Sequence, residues 1–86
     1  MNGYRVEVAR PAEKELDRLP GSIVQRVIEA VRGLRDNPRP RGAVKLRGDE
    51  GAYRIRVGRY RVIYEIDDEH RLVRVSHVRH RKDAYQ

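Results

Sequence analysis

The chain contains no cysteine, no tryptophan and no phenylalanine. Without cysteine there is no disulfide, no thiolate nucleophile and no cysteine-ligated zinc. Tyrosine alone supplies the aromatic surface, through five residues. No apolar run approaches the length of a membrane span or a signal-peptide core, so a soluble cytoplasmic protein with no membrane partner is expected. Internal repeats, low-complexity tracts and Pro/Ser linkers are also missing. The 86 residues therefore read as one domain, residues 1–86, with a modest core. No Gly-rich phosphate loop and no Ser-His-Asp order is present, which removes those nucleotide-binding and hydrolase classes.

What is abundant is positive charge. The net charge is +7, with 20 Lys and Arg against 13 Asp and Glu. Such a balance favours nucleic acid, an anionic surface or an acidic protein as partner. The excess is uneven. Residues 1–40 carry eight basic and six acidic side chains, whereas residues 41–86 carry twelve and seven. Within residues 53–64 there are four arginines (Arg54, Arg56, Arg59, Arg61) and no acid. Gly58-Arg59 has the form of a two-residue hairpin turn with glycine at the first central position of type II′. That turn sets Val57 against Tyr60, Arg56 against Arg61, Ile55 against Val62 and Tyr53 against Tyr64. Cross-strand partners share a face, so Tyr53, Ile55, Val57, Val62 and Tyr64 form one apolar face and Arg54, Arg56 and Arg61 crowd the other. Like charges directly opposed are destabilising, and a polyanionic ligand is the natural counter-ion.

The rest of the pattern gives the fold class. Tyr4, Val6 and Val8 alternate with Arg5 and Glu7 as a short strand. Pro11 suits a first helical turn, and residues 12–19 read as a short helix with Ala12, Leu16 and Leu19 inward. Pro20-Gly21-Ser22 breaks it, with Ser22 as the expected cap of the next helix. Ile23, Val24, Val27, Ile28, Val31 and Leu34 recur at helical spacing, and Asn37-Pro38 ends that helix. Lys45-Leu46-Arg47-Gly48 is a short strand or turn. Strands follow over residues 53–57, 60–67 and 72–79, although Leu72 and Val78 blur which face of the last one is inward. The order βααβββ predicts an α+β domain with a helical hairpin on one face of a mostly antiparallel sheet.

The tail adds His77, His80, Arg81, Lys82 and Tyr85. Histidine titrates near neutral pH and can move a proton. Tyrosine can do so when neighbouring cations lower its pKa. Arg81 and Lys82 can stabilise charge developing on a phosphate. His77 and His80 are possible metal ligands, but His70 lies in a distant turn and no acid cluster adjoins the pair, so no metal site is expected. Asp67, Asp68 and Glu69 adjoin in a turn, which suits solubility better than acid–base chemistry.

These residues together resemble the RelE-like toxins of bacterial and archaeal toxin–antitoxin pairs. The landmarks are the opening strand and helical hairpin, Lys45-Leu46-Arg47-Gly48, Tyr53-Arg54-Ile55-Arg56, Tyr60-Arg61-Val62-Ile63-Tyr64 and His80-Arg81-Lys82-Asp83-Ala84-Tyr85. The resemblance implies a ribosome-dependent endoribonuclease that cuts messenger RNA in the ribosomal A site with no metal or cofactor and is held inactive by a cognate antitoxin. In such enzymes the ribose 2′-OH attacks the adjacent phosphate. By position, Arg54 and Arg56 match basic strand residues, Arg61 the arginine gripping the scissile phosphate, Arg81 a phosphate-binding arginine and Tyr85 a tyrosine at the 2′-OH or a base. His80 is a further proton-transfer candidate, and Lys45, Arg47, Arg59 and Lys82 are expected to bind RNA. The best-studied RelE-like sites carry lysines where this chain has Arg54 and Arg56. Arginine does not give up its proton, so proton transfer is expected to fall to His80, Tyr85, His77 or water. The alternatives that the resemblance leaves open are a ParE-like inhibitor of DNA gyrase and a weakened, antitoxin-binding member.

Overall fold

The computed structural model describes residues 3–48 and 51–82. Strand β1 (Arg5–Val8) is followed by helices α1 (Arg10–Asp17) and α2 (Gly21–Gly33) and strands β2 (Val44–Lys45), β3 (Ala52–Val57), β4 (Tyr60–Asp67) and β5 (Leu72–His80). The five strands form one sheet in the order β1-β5-β4-β3-β2. Only β1 and β5 pair in parallel; the other neighbours are antiparallel. The α+β class and the helices on a mostly antiparallel sheet are as expected. The order βααβββ gains one strand, because the segment Lys45-Leu46-Arg47-Gly48 supplies only Lys45 to a two-residue edge strand.

Both helices start earlier than their patterns suggest. Pro11 sits in the first turn of α1, which ends at Asp17, while Leu16 and Leu19 still pack on the core. Ser22 does not cap α2: the N-cap is Pro20, with no side-chain hydrogen bond. The Pro20 carbonyl accepts from the N–H groups of Ile23 and Val24 at 3.0 and 3.1 Å, so Ser22 already lies inside the first turn. At the far end, Leu34, Arg35 and Asp36 donate to carbonyls three residues back, which tightens the chain out of the helix before Asn37. Ile23, Val27, Ala30 and Val31 of α2, with Leu34 at its C-cap, make the row that meets the core. Ile28 falls on the flank of that row and stays 38% exposed.

The core lies between these helices and one face of the sheet. Ile55, Val57, Val62, Tyr64, Ile66, Val73, Val75 and Val78 are all buried there. Val75 and Val78 are three apart, which strict alternation forbids on one face. The register slips between Ile63 and Tyr64: Ile63 pairs with His77, but Tyr64 pairs with Val75. Ser76 is the extra residue of this bulge, and its hydroxyl donates to the Ile63 carbonyl at 3.1 Å. The bulge returns Val78 to the core and leaves Leu72 half-buried opposite Arg5.

Strand β1 covers only the first half of β5. Beyond Val75, α1 takes over that edge. The Glu15 carboxylate accepts from the Val78 backbone N–H at 2.9 Å, meets His77 Nδ1 at 3.2 Å with the same oxygen, and accepts from Arg79 Nε at 3.1 Å with the other. An exposed strand edge is thereby closed by a helix side chain.

The opposite end of the sheet is fastened by a polar network. Asp68 accepts from Tyr4 Oη at 2.7 Å and from both terminal nitrogens of Arg39, at 3.2 and 2.8 Å. Arg39 Nε donates to Tyr53 Oη at 3.1 Å. Tyr53 stacks on Tyr64, with ring centroids 6.0 Å apart, and buried Tyr64 donates to the Pro38 carbonyl at 2.8 Å. Asp68 thus has a fastening role that the reading of its turn as a solvated acidic run omits. Tyr64→Phe removes one buried hydrogen bond and strands the Pro38 carbonyl. A loss of about 1 kcal/mol is expected in urea unfolding, with the m-value unchanged.

The same groups set a pH dependence. Hydrogen bonds from Arg39 and then Tyr4 depress the Asp68 carboxyl from 3.8 to about 2. A depressed carboxylate contributes stability that is fully present above its unfolded value and is lost as pH falls through the folded one. The thermal midpoint is therefore expected to drop between about pH 4 and pH 2, and Asp68→Asn is expected to flatten that part of the profile. Burial raises Tyr64 to about 12, so its contribution persists below pH 10 and is lost as pH rises through 12.

Candidate functional site

The β3–β4 hairpin has the expected register, with Val57 paired to Tyr60, Arg56 to Arg61, Ile55 to Val62 and Tyr53 to Tyr64. Gly58 has φ +59°, and Arg59 is not among the positive-φ residues, as type II′ requires. A Cβ at Gly58 would also come within 3.3 Å of the Arg26 guanidinium. Arg26 thus lies over the turn from α2. Along the sequence Arg26 looks like any other exposed position of a helix.

On the face opposite the core, pairing aligns Arg56, Arg61 and Arg79 across three strands. Arg61 is 6% exposed and Arg56 is exposed. At the turn end of this row a cleft of about 90 Å³ is lined by Arg56, Gly58, Arg59, Tyr60, Arg61 and Arg81. Arg81 is held through both sides of its backbone. Its N–H donates to the Arg59 carbonyl at 2.8 Å, and its carbonyl accepts from Arg61 Nη1 at 3.3 Å. Four guanidinium-bearing residues line this small volume with no carboxylate among the described lining residues, so their mutual repulsion favours an anion.

Ion pairing divides the arginines of the molecule. Arg5, Arg39, Arg74 and Arg79 each lie within 4.0 Å of a carboxylate oxygen. Arg54, Arg56 and Arg59 have no such partner among the described residues. The arginines with structural work are neutralised at the β1–β5 edge and around Asp68, while Arg54, Arg56 and Arg59 stay open to a ligand.

His80 stands beside the cleft. It pairs with Tyr60 and meets that ring edge-on, with centroids 5.2 Å apart and planes at 85°. Its Nδ1 accepts from the Lys82 N–H at 3.2 Å, so the proton of the neutral ring sits on Nε2. His77 is engaged by Glu15 and lies outside the cleft lining. Arg54 borders a neighbouring groove that shares Arg56 with the cleft. Lys45, Arg47 and Lys82 are exposed but do not line the cleft, and Lys45 pairs with Tyr53, on the face away from Arg54. Tyr85 lies outside the described residues. Asp67, Glu69 and His70 bring possible ligand atoms within 4.8 Å of one another. That exposed group is at the β4–β5 turn, at the far end of β4 from the arginine cleft.

Residues 6–85 match the family model of the ParE toxin of the type II toxin–antitoxin system parDE. The chain belongs to this RelE/ParE superfamily of type II toxins, as a RelE-like member. It is 40% identical to Toxin RelE of Mycobacterium tuberculosis over 85 residues, covering 96% of this chain and 87% of that protein. It is 37% identical to Toxin RelG of the same organism, covering 96% and 97%. Among solved structures, a chain of the archaeal RelE–RelB complex from Pyrococcus horikoshii aligns with a TM-score of 0.84 at 31% identity, covering 95% of this chain and 99% of that one. Among the described residues, no helix is long and apolar enough to cross a membrane.

Proposed function

We propose that this toxin is a ribosome-dependent messenger RNA endoribonuclease, restrained by a cognate antitoxin. The observation that carries the reading is the convergence of Arg56, Arg59, Arg61 and Arg81 on one cleft, with His80 beside it. Relatives named RelE across most of both chains support it further.

In this reading the ribose 2′-oxygen attacks the neighbouring phosphorus. The P–O5′ bond breaks, leaving a 2′,3′-cyclic phosphate and a 5′-OH, and the 2′-OH proton leaves to a base while the 5′ oxygen gains one from an acid. Arg61 and Arg81 hold the phosphate and stabilise the negative charge that grows on it, with Arg56 and Arg59 beside them. Arginine stays protonated throughout, so the proton steps belong to His80 and Tyr85. His80→Ala and Tyr85→Phe are each expected to slow cleavage by about a hundredfold; normal rates in both variants would assign the protons to water.

A cognate antitoxin is proposed because the similar archaeal toxin was solved in complex with RelB. The family model, described as a ParE toxin, gives gyrase inhibition as the second reading. Induced expression with primer-extension mapping separates them. Cuts confined to translated messages support the nuclease; intact messages with gyrase-dependent DNA breaks support the inhibitor.

A further inference from the structure

Beside the arginine cleft, a shallow groove of about 330 Å³ runs between β2 and β3, lined by Arg41, Gly42, Val44, Arg54, Ile55 and Arg56. Three features set it apart. First, Arg41, Arg54 and Arg56 have no carboxylate within ion-pairing distance among the described residues, although four other arginines do. Second, Val44 is 43% exposed, above both Ile28 and Val8. It pairs with Arg54, so both side chains share the arginine face. Third, Arg56 lines both the groove and the cleft, which makes the two continuous.

We infer that this groove is a nucleotide subsite for single-stranded RNA, which takes the next nucleotide beyond the two that flank the phosphate held in the cleft. The inference rests on the reading of the cleft as an RNA-phosphate site. A free phosphate would need the guanidiniums but not an exposed valine between them. A nucleotide needs both: charge along its backbone and an apolar surface for its base. Arg54 and Arg56 lie two residues apart on one strand face, about 7 Å along the chain, a spacing suited to successive phosphates of an extended strand. Val44 then meets the base, and Arg41 takes the next phosphate outward. Exposed β2 residues can be replaced without disturbing the core, so the subsite can be removed while the cleft stays intact.

The test uses the full chain and 2′-O-methyl oligonucleotides, which lack the attacking hydroxyl and report binding without cleavage. A dinucleotide reaches only the cleft, whereas a hexanucleotide also spans the groove. In NMR titrations the Arg41 and Val44 amides are expected to shift with the hexamer and not with the dimer. Arg41→Ala is expected to weaken hexamer binding about fivefold and to lower its salt slope by about one phosphate. Val44→Ser is expected to cost about as much with the slope unchanged. Both should leave the dimer as in the wild type. A wild-type chain that binds the dimer but gains nothing from the hexamer overturns the subsite alone. A chain that binds neither length overturns the cleft reading and the subsite with it. If the two variants bind oligonucleotides normally but lose an acidic antitoxin segment, the groove is a protein-docking surface and the inference is wrong.

Discussion

Arg61→Ala is expected to lower messenger RNA cleavage by about two to three orders of magnitude and to abolish growth arrest, while binding to an antitoxin is largely retained. Three features make Arg61 the hairpin residue with most at stake. It is only 6% exposed. It sits between Arg56 and Arg79 in register. Its Nη1 donates to the Arg81 carbonyl, so one side chain lines the cleft and also holds a second arginine in place. A preorganised charge in a site partly shut off from water stabilises a developing phosphorane more than a flexible surface cation does. Arg61→Lys separates the two roles. A lysine keeps the charge but lacks the fork that reaches phosphate and carbonyl together, and an intermediate loss is expected. Circular dichroism and thermal melting of both variants establish that they are folded. If folded Arg61→Ala remains fully toxic, Arg61 does not hold the phosphate.

Glu15→Ala is expected to have the largest effect on stability of any substitution outside the apolar core. One carboxylate serves three donors on β5: the Val78 N–H, His77 and Arg79. Removing it strands a backbone donor at a half-covered strand edge, takes the partner from His77 and leaves Arg79 without its counter-ion, a loss of about 2 kcal/mol. For a domain of this size that corresponds to a fall of about 10 °C in the melting midpoint. Glu15→Gln keeps an acceptor for the Val78 N–H and is expected to lose less than half as much. Hydrogen exchange should show where the damage falls, with amides of Val78 and its neighbours losing protection before those of β3. An unchanged melting curve for Glu15→Ala would mean that β5 does not depend on this clamp. The consequence reaches the cleft, because the clamped stretch leads directly into His80 and Arg81.

Much of the site can be read along the chain because it is local. A two-residue turn at Gly58-Arg59 fixes the pairing of every residue on either side of it, and alternation assigns each to a face. Arg56 and Arg61 could therefore be placed opposite each other from sequence. The last strand resists the same treatment. Its side-chain period slips at Ser76, and a polar residue at a bulge looks like any other outward-facing position until the partner strand is known. That slip decides that Val78 is core, that Arg79 stands beside Arg61 and that His80 meets Tyr60. Ser22 departs from its expected capping role for a related reason: a good capping residue has no donors left to satisfy once the Pro20 carbonyl has received the first helical N–H groups.

By itself, then, the sequence determined the α+β class, the hairpin with its arginine face and the kinship with RelE-like toxins, since each rests on periodicity, a turn or an ordered set of neighbouring residues. Only the tertiary structure decided which arginines remain charged toward a ligand. Glu15 and Arg79 are 64 positions apart and Arg39 and Asp68 are 29 apart, and no local rule matches such partners. The fold uses those long-range pairs to neutralise the cations along its β1–β5 edge and far turn. Among the described residues, Arg54, Arg56 and Arg59 of the hairpin have no carboxylate within ion-pairing distance, so an anion can serve as their counter-ion.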